Sequence, residues 1–94
     1  MSKKDISIII PCYNCADTLT EAAESCFVQG LNNFEIVMVD DDSTDNTRTI
    51  MKALAKKYPE IRIFYLDKNM GGGATRNTAI KHSVSEVIFC LDSD

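Results

Sequence analysis

The sequence predicts a three-layer α/β sandwich around a mainly parallel sheet, with elements in the order βαβαβαβ. Three observations predict it. Short β-branched or apolar runs recur at 6–10, 34–39, 61–66 and 86–91. Between them the apolar period lengthens to that of a helix. No pair of runs is close enough for a hairpin, and such alternation requires right-handed crossovers between parallel strands. The chain has 94 residues, the size of one domain, 1–94, with no repeat, linker or low-complexity tract.

Ile6-Ser7-Ile8-Ile9-Ile10 reads as a strand buried on both faces and stopped by Pro11. Leu19, Ala22, Ala23, Cys26 and Phe27 form one helical stripe within 18–29. Thr18 with Glu21 matches a capping box, and Gly30 matches a helix stop. Phe34 to Val39 is the second buried strand. Asp45 or Ser43 caps a second helix, whose stripe is Ile50, Met51, Leu54 and Tyr58 and whose end is set by Pro59. Ile61 to Leu66 is the third strand. Gly71, Gly72 and Gly73 precede a third helix over 74–82, and Glu86 to Leu91 is the fourth strand.

Composition narrows the function. A net charge of −4 argues against a nucleic-acid partner, which needs a basic face. No apolar run approaches a membrane span, and MSKKD followed by five apolar or small residues is too short for a secretion signal. The expected location is cytoplasmic, with the four cysteines, at 12, 15, 26 and 90, reduced.

In a doubly wound sheet, ligands bind beyond the carboxyl ends of the strands. Each polar cluster lies at such an end: 12–14, 40–45, 68–76 and 92–94. Asp40 and Asp41 can accept from a base or ribose or hold a hard cation; as turn residues they would merely shape the loop. Asp92 and Asp94, one residue apart, can reach the same Mn²⁺ or Mg²⁺, or can be a solvated turn. Gly71-Gly72-Gly73-Ala74-Thr75-Arg76 fits neither G-x-G-x-x-G nor G-x-x-x-x-G-K-[ST], which excludes a dinucleotide fingerprint and a P-loop. Arg76 can donate to phosphate or to a base carbonyl, or face solvent. Tyr13 can stack on a base or pack over the first helix. His82 reads as a surface residue near a helix end. Cys12 and Cys15 form a C-x-x-C, the ground for a rival reading as a thiol–disulfide oxidoreductase, whose discriminator is a lowered thiol pKa. A zinc site would need two further ligands.

Taken together, 6–16 (ISIIIPCYNCA), 34–47 (FEIVMVDDDSTDNT), 69–80 (NMGGGATRNTAI) and 86–94 (EVIFCLDSD) resemble, in order and spacing, the four signature blocks that open a family 2 glycosyltransferase of GT-A fold. The resemblance implies a Rossmann-like three-layer sandwich forming the N-terminal, nucleotide-sugar-binding half of a GT-A domain. It implies that Pro11 and Tyr13 hold the base, with Tyr13 as stacking platform. Asp41, with Asp40 beside it, accepts from the base. Arg76 reaches base or diphosphate. Asp92 approaches ribose or metal, and Asp94 ligates Mn²⁺ or Mg²⁺ on the diphosphate. The implied partners are a nucleotide-sugar donor and a saccharide, lipid-linked or polymer acceptor, with peripheral membrane association of the full-length enzyme. The general base belongs to the acceptor half, beyond Asp94, so no catalytic residue is named here. A non-catalytic nucleotide-binding module is the second rival. Asp42 stands where the family's VDDGSTD pattern has glycine, which matters if that position needs a positive φ. The fourth strand, apolar along nearly its whole length, is expected to leave an edge through which this 94-residue chain self-associates.

Overall fold

The computed structural model describes residues 4–93. Strands β1 (Ile6–Cys12), β2 (Phe34–Asp40), β3 (Ile61–Tyr65) and β4 (Val87–Cys90) alternate with helices α1 (Leu19–Ser25), α2 (Thr47–Lys57) and α3 (Gly72–His82). All pairings are parallel, and the strand order is β3-β2-β1-β4.

The sheet is two-faced because strand side chains alternate. Ile8, Ile10 and Cys12 of β1 and Phe34, Ile36 and Met38 of β2 pack with Leu19, Ala23, Met51 and Leu54 of α1 and α2. Phe27 binds this layer together, edge-on to Phe34 and stacked on Tyr58. Ile9, Val37 and Val39 point the other way, onto Ala79 of α3. The chain therefore builds outward from β1 through β2 to β3 with helices on one face, then returns to the far side of β1 with α3 on the other. Right-handed crossovers require this change of face when direction reverses. It makes the carboxyl ends of β1 and β4 the place where strand order switches.

Several local expectations are corrected. Pro11 does not stop β1, which continues to Cys12, in register with Asp40. In a parallel ladder a residue's N–H and C=O point the same way. The carbonyl of Ile9 accepts from Leu91, so odd-numbered residues of β1 face β4. The missing N–H of Pro11 thus falls beyond the last β1–β4 pair, Ile9 with Cys90, and breaks no ladder bond.

The first helix is not one α-helix over 18–29. It tightens into a 3₁₀ segment at Cys26–Gln29 before Gly30 turns left-handed at φ 71°. Nor does Thr18 form a capping box. Its hydroxyl donates to the carbonyl of Ser93, tying the start of α1 to the chain after β4.

Ser43 does not cap α2. Asp45 does part of that work, accepting from the Thr47 N–H at 2.9 Å and from the Thr47 hydroxyl. The third helix begins two residues earlier than expected, at Gly72, with Gly71 at φ 90° before it. Asp42 has φ 60°, which explains why glycine suits that position. No helix among the described residues is long and apolar enough to cross a membrane.

Candidate functional site

Four loops meet at the carboxyl ends of the strands. The first two are laced together. Asn14, left-handed at φ 47°, donates its N–H to Ser43 Oγ at 2.8 Å, and its side-chain oxygen accepts from Thr44 N at 2.8 Å and Asp45 N at 3.3 Å. The N–H of Cys15 donates to Thr47 Oγ1 at 2.9 Å. Asn and Asp tolerate left-handed backbone better than other non-glycine residues, and their short side chains satisfy nearby N–H groups. These bonds fix the path of the chain just after Tyr13.

Asp41 joins the second loop to the third. It is 4% exposed. Its Oδ1 accepts from the N–H of Met70 at 2.6 Å and its Oδ2 from that of Gly71 at 2.9 Å. Its carbonyl accepts from Asn69 Nδ2 at 3.3 Å. The loop entering α3 is thus shaped around one carboxylate.

Between these loops lies a cavity of about 430 Å³. Pro11, Tyr13, Asp41, Arg76 and Asp92 line it, together with the glycines that open α3. Tyr13 projects into it half exposed, and Arg76 and Asp92 are exposed on its rim. The structure therefore brings together five of the six donor-site residues expected from sequence. Asp40 is the exception. It is fully buried behind the cavity, where its carboxylate accepts from Arg48 Nε at 2.7 Å and from the Ser43 N–H at 2.9 Å. An aspartate so enclosed is a structural anion that holds its own loop. Asp94 lies outside the described residues. Among the described residues no cluster of three His, Cys, Asp or Glu side chains is placed to hold a metal.

The C-x-x-C pair sits beside the cavity as free thiols. The neighbouring Cys12 thiol lowers the Cys15 pKa to about 6, against burial that raises it, and the Ser93 and Thr47 side chains and the Tyr13 backbone add to the lowering. Cys12 moves upward, through its Cys15 neighbour and its burial, and its thiol donates to the Ile10 carbonyl at 3.3 Å. A thioredoxin-like nucleophile is the first cysteine of its motif and must be reachable. Here the first cysteine is the raised one, and the two thiols are 1% and 5% exposed. The thiol–disulfide reading has no accessible nucleophile to rest on.

Residues 7–94 match the family profile described as Glycosyl transferase family 2. The chain belongs to glycosyl transferase family 2. Among its family 2 relatives is a poly(ribitol-phosphate) beta-glucosyltransferase of Bacillus spizizenii, 41% identical over 92 residues, which cover 95% of this chain and 14% of the relative. Residues 1–349 of S. aureus TarS, solved in complex with UDP-GlcNAc, superpose with a TM-score of 0.87 at 35% identity, over 96% of this chain and 26% of that one. The mannosyltransferase PcManGT of Pyrobaculum calidifontis, in complex with GDP-Man and Mn²⁺, gives a TM-score of 0.89 at 26% identity, over 99% of this chain and 28% of that one. The family 2 chain described here thus spans about a third or less of the length of these proteins.

Sequence reasoning missed two residues of this region. Arg48 is given no role from the sequence, yet it pairs with Asp40. Asn69 reads as part of a loop, yet it donates to Asp41 and lines the cavity. The run of three aspartates contained the signal for Arg48, since a buried carboxylate needs a cation and the first turns of α2 are nearest.

Proposed function

We propose that this chain supplies the nucleotide-sugar-binding part of a glycosyltransferase that moves a sugar, with inversion, from a nucleotide donor to a saccharide, lipid-linked or polymer acceptor. The observation that carries this reading is the cavity at the strand ends, where four loops of a family 2 chain bring an aromatic ring, two carboxylates and a guanidinium around one space.

The roles follow from chemistry. Tyr13 offers a ring face for stacking, with Pro11 as the wall beside it. A carboxylate has about four acceptor sites, and Asp41 has committed two to backbone amides, so it retains capacity for a base N–H. Arg76 donates to the diphosphate. Its Nε now rests on Cys90 Sγ at 3.3 Å, a weak acceptor that a phosphate oxygen displaces readily.

Asp92 suits a hard divalent cation. It is an exposed carboxylate at the cavity rim, and Mg²⁺ or Mn²⁺ commonly takes only one or two protein carboxylates and completes its shell with phosphate and water. Asp92 with Asp94 would hold it. When bound, the cation offsets the diphosphate charge and stabilises the departing nucleotide.

Calorimetric titration of the full-length protein with UDP and GDP, with and without Mn²⁺, tests this reading. Affinity should rise with Mn²⁺ and fall in Asp92→Asn. Equal affinity with and without metal removes the role given to Asp92. No binding of either nucleotide removes the donor-site reading. Binding without turnover of any nucleotide sugar supports the non-catalytic module instead.

A further inference from the structure

Arg48 lies in the first turn of α2, outside the cavity, and makes four contacts that no local helical role explains. Its Nε donates to the buried carboxylate of Asp40 at 2.7 Å, and its Nη2 donates to the carbonyl of Leu66 at 2.9 Å. The same Nη2 is 3.6 Å from Asp42 Oδ1. The guanidinium also sits over the Tyr65 ring, 4.6 Å from its centroid. Two of these partners flank Asp41 in the chain. The other two are the last residue of β3 and the residue after it, where the loop that runs to Met70 and Gly71 begins.

The second and third loops are therefore joined twice. Asp41 joins them at the cavity wall by accepting from Met70 and Gly71. Arg48 joins them from behind, gripping the residues on both sides of Asp41 and the root of the opposite loop. A planar five-donor fork can hold a carboxylate, a carbonyl and a ring face at once, whereas an ammonium cannot. We propose that Arg48 is a positioning residue for nucleotide binding, which acts through Asp40 and Asp42 to set the direction of Asp41 against the loop of Met70 and Gly71. This rests on the donor-site reading above.

A merely structural arginine would change stability and leave the site alone once the protein is folded. The test therefore reads nucleotide affinity and local order in the folded full-length protein. Arg48→Lys keeps the charge near Asp40 and loses the fork. It should weaken UDP or GDP binding, whichever the wild type prefers, by about five- to ten-fold. It should also speed amide hydrogen exchange at Met70 and Gly71 relative to the core strands. In an Asp41→Ala background the same change should have no further effect on affinity, because the residue it positions is gone. Tyr65→Leu removes only the ring under the guanidinium and should shift both readouts in the same direction by less. It decides the matter alone if Arg48→Lys does not fold.

Wild-type affinity and unchanged exchange at Met70 and Gly71 in the folded variant would overturn the proposal, as would a full additive loss on top of Asp41→Ala. If the wild type binds nucleotide and Asp41→Ala does not weaken it, the role given to Asp41 has failed, and the inference falls with it. These outcomes separate the two readings.

Discussion

Strand β2 runs Phe34-Glu35-Ile36-Val37-Met38-Val39-Asp40, and β4 runs Val87-Ile88-Phe89-Cys90, both rich in β-branched and aromatic residues. All seven β2 residues are buried, two acids among them. In β4, Val87 and Phe89 are half exposed, and only Ile88 joins the packed layer under α3. The two strands differ in neighbours. β2 is flanked by β1 and β3 and covered by helices on both faces, whereas β4 pairs only with β1 among the described residues. Apolar composition specifies a strand that can be buried. Position in the sheet decides whether it is.

The largest test of that contrast is Glu35. It lies at the amino end of β2, where it accepts from Ser7 Oγ, from Arg62 Nη1 at 2.9 Å and from the Val84 N–H at 2.8 Å. Glu35→Ala removes the acceptor of the Ser7 hydroxyl and the Val84 N–H, while Arg62, partly exposed, keeps its bond to the His82 carbonyl, and should destabilise by about 2–6 kcal/mol in urea titration. Burial raises the Glu35 pKa, but the Ser7 hydroxyl, the Val84 N–H and Arg62 together outweigh it, and the net shift is downward. Because the folded value is below the unfolded one, Glu35 contributes stability above the ordinary glutamate range and loses it as pH falls through its lowered value. Glu35→Gln should flatten that acid limb. An unchanged limb would mean that other carboxylates carry it.

Met38→Ala comes next, at about 2–5 kcal/mol by the same measurement, since Met38 is fully buried between the sheet and its helices. At the carboxyl end, Asp41→Ala should weaken nucleotide binding by about 1.5–3 kcal/mol through loss of a charged hydrogen bond. Tyr13→Ala should weaken it by about 1–3 kcal/mol through lost stacking, with little effect on unfolding. Equal calorimetric affinities for wild type and both variants would remove these two roles.

The smallest stability effect belongs to β4, where Phe89→Lys should change unfolding by less than about 1 kcal/mol. Its effect should appear elsewhere. The 94-residue chain is expected to self-associate through the apolar edge of β4, and a lysine there should oppose that pairing. Sedimentation over a concentration series checks it. A wild-type chain that stays monomeric at every concentration would show that this edge does not drive association.

Element type and order were legible in the sequence because period and β-branching are local signals, and Asp42 was legible as a backbone position because it departs from a glycine pattern. The errors share a physical cause. Thr18 and Ser43 were assigned to helix starts and Asp40 to a ligand, but the folded loops offer each another partner: the Ser93 carbonyl to Thr18, the Asp40 carboxylate to Ser43 and the Arg48 guanidinium to Asp40. Pro11 was assigned a strand-ending role by its chemistry, and only the direction of its missing N–H relative to β4 shows why it has none. Polar residues in these loops choose partners by fold, which a local reading does not contain.

The pairing of β1 with β4 also bears on how the protein is made. The ribosome releases β1 first of the four strands and β4 last, and Ile6–Ile9 of β1 takes its second partner only when Val87–Cys90 emerges. Until then a growing chain can join β1, β2 and β3 but presents one open side of its central strand, a template for unintended pairing. The cavity shares this timing, since Asp92 and the Ser93 carbonyl that anchors α1 arrive only after β4. On the donor-site reading proposed above, nucleotide would stabilise the chain only in states that have the last strand in place.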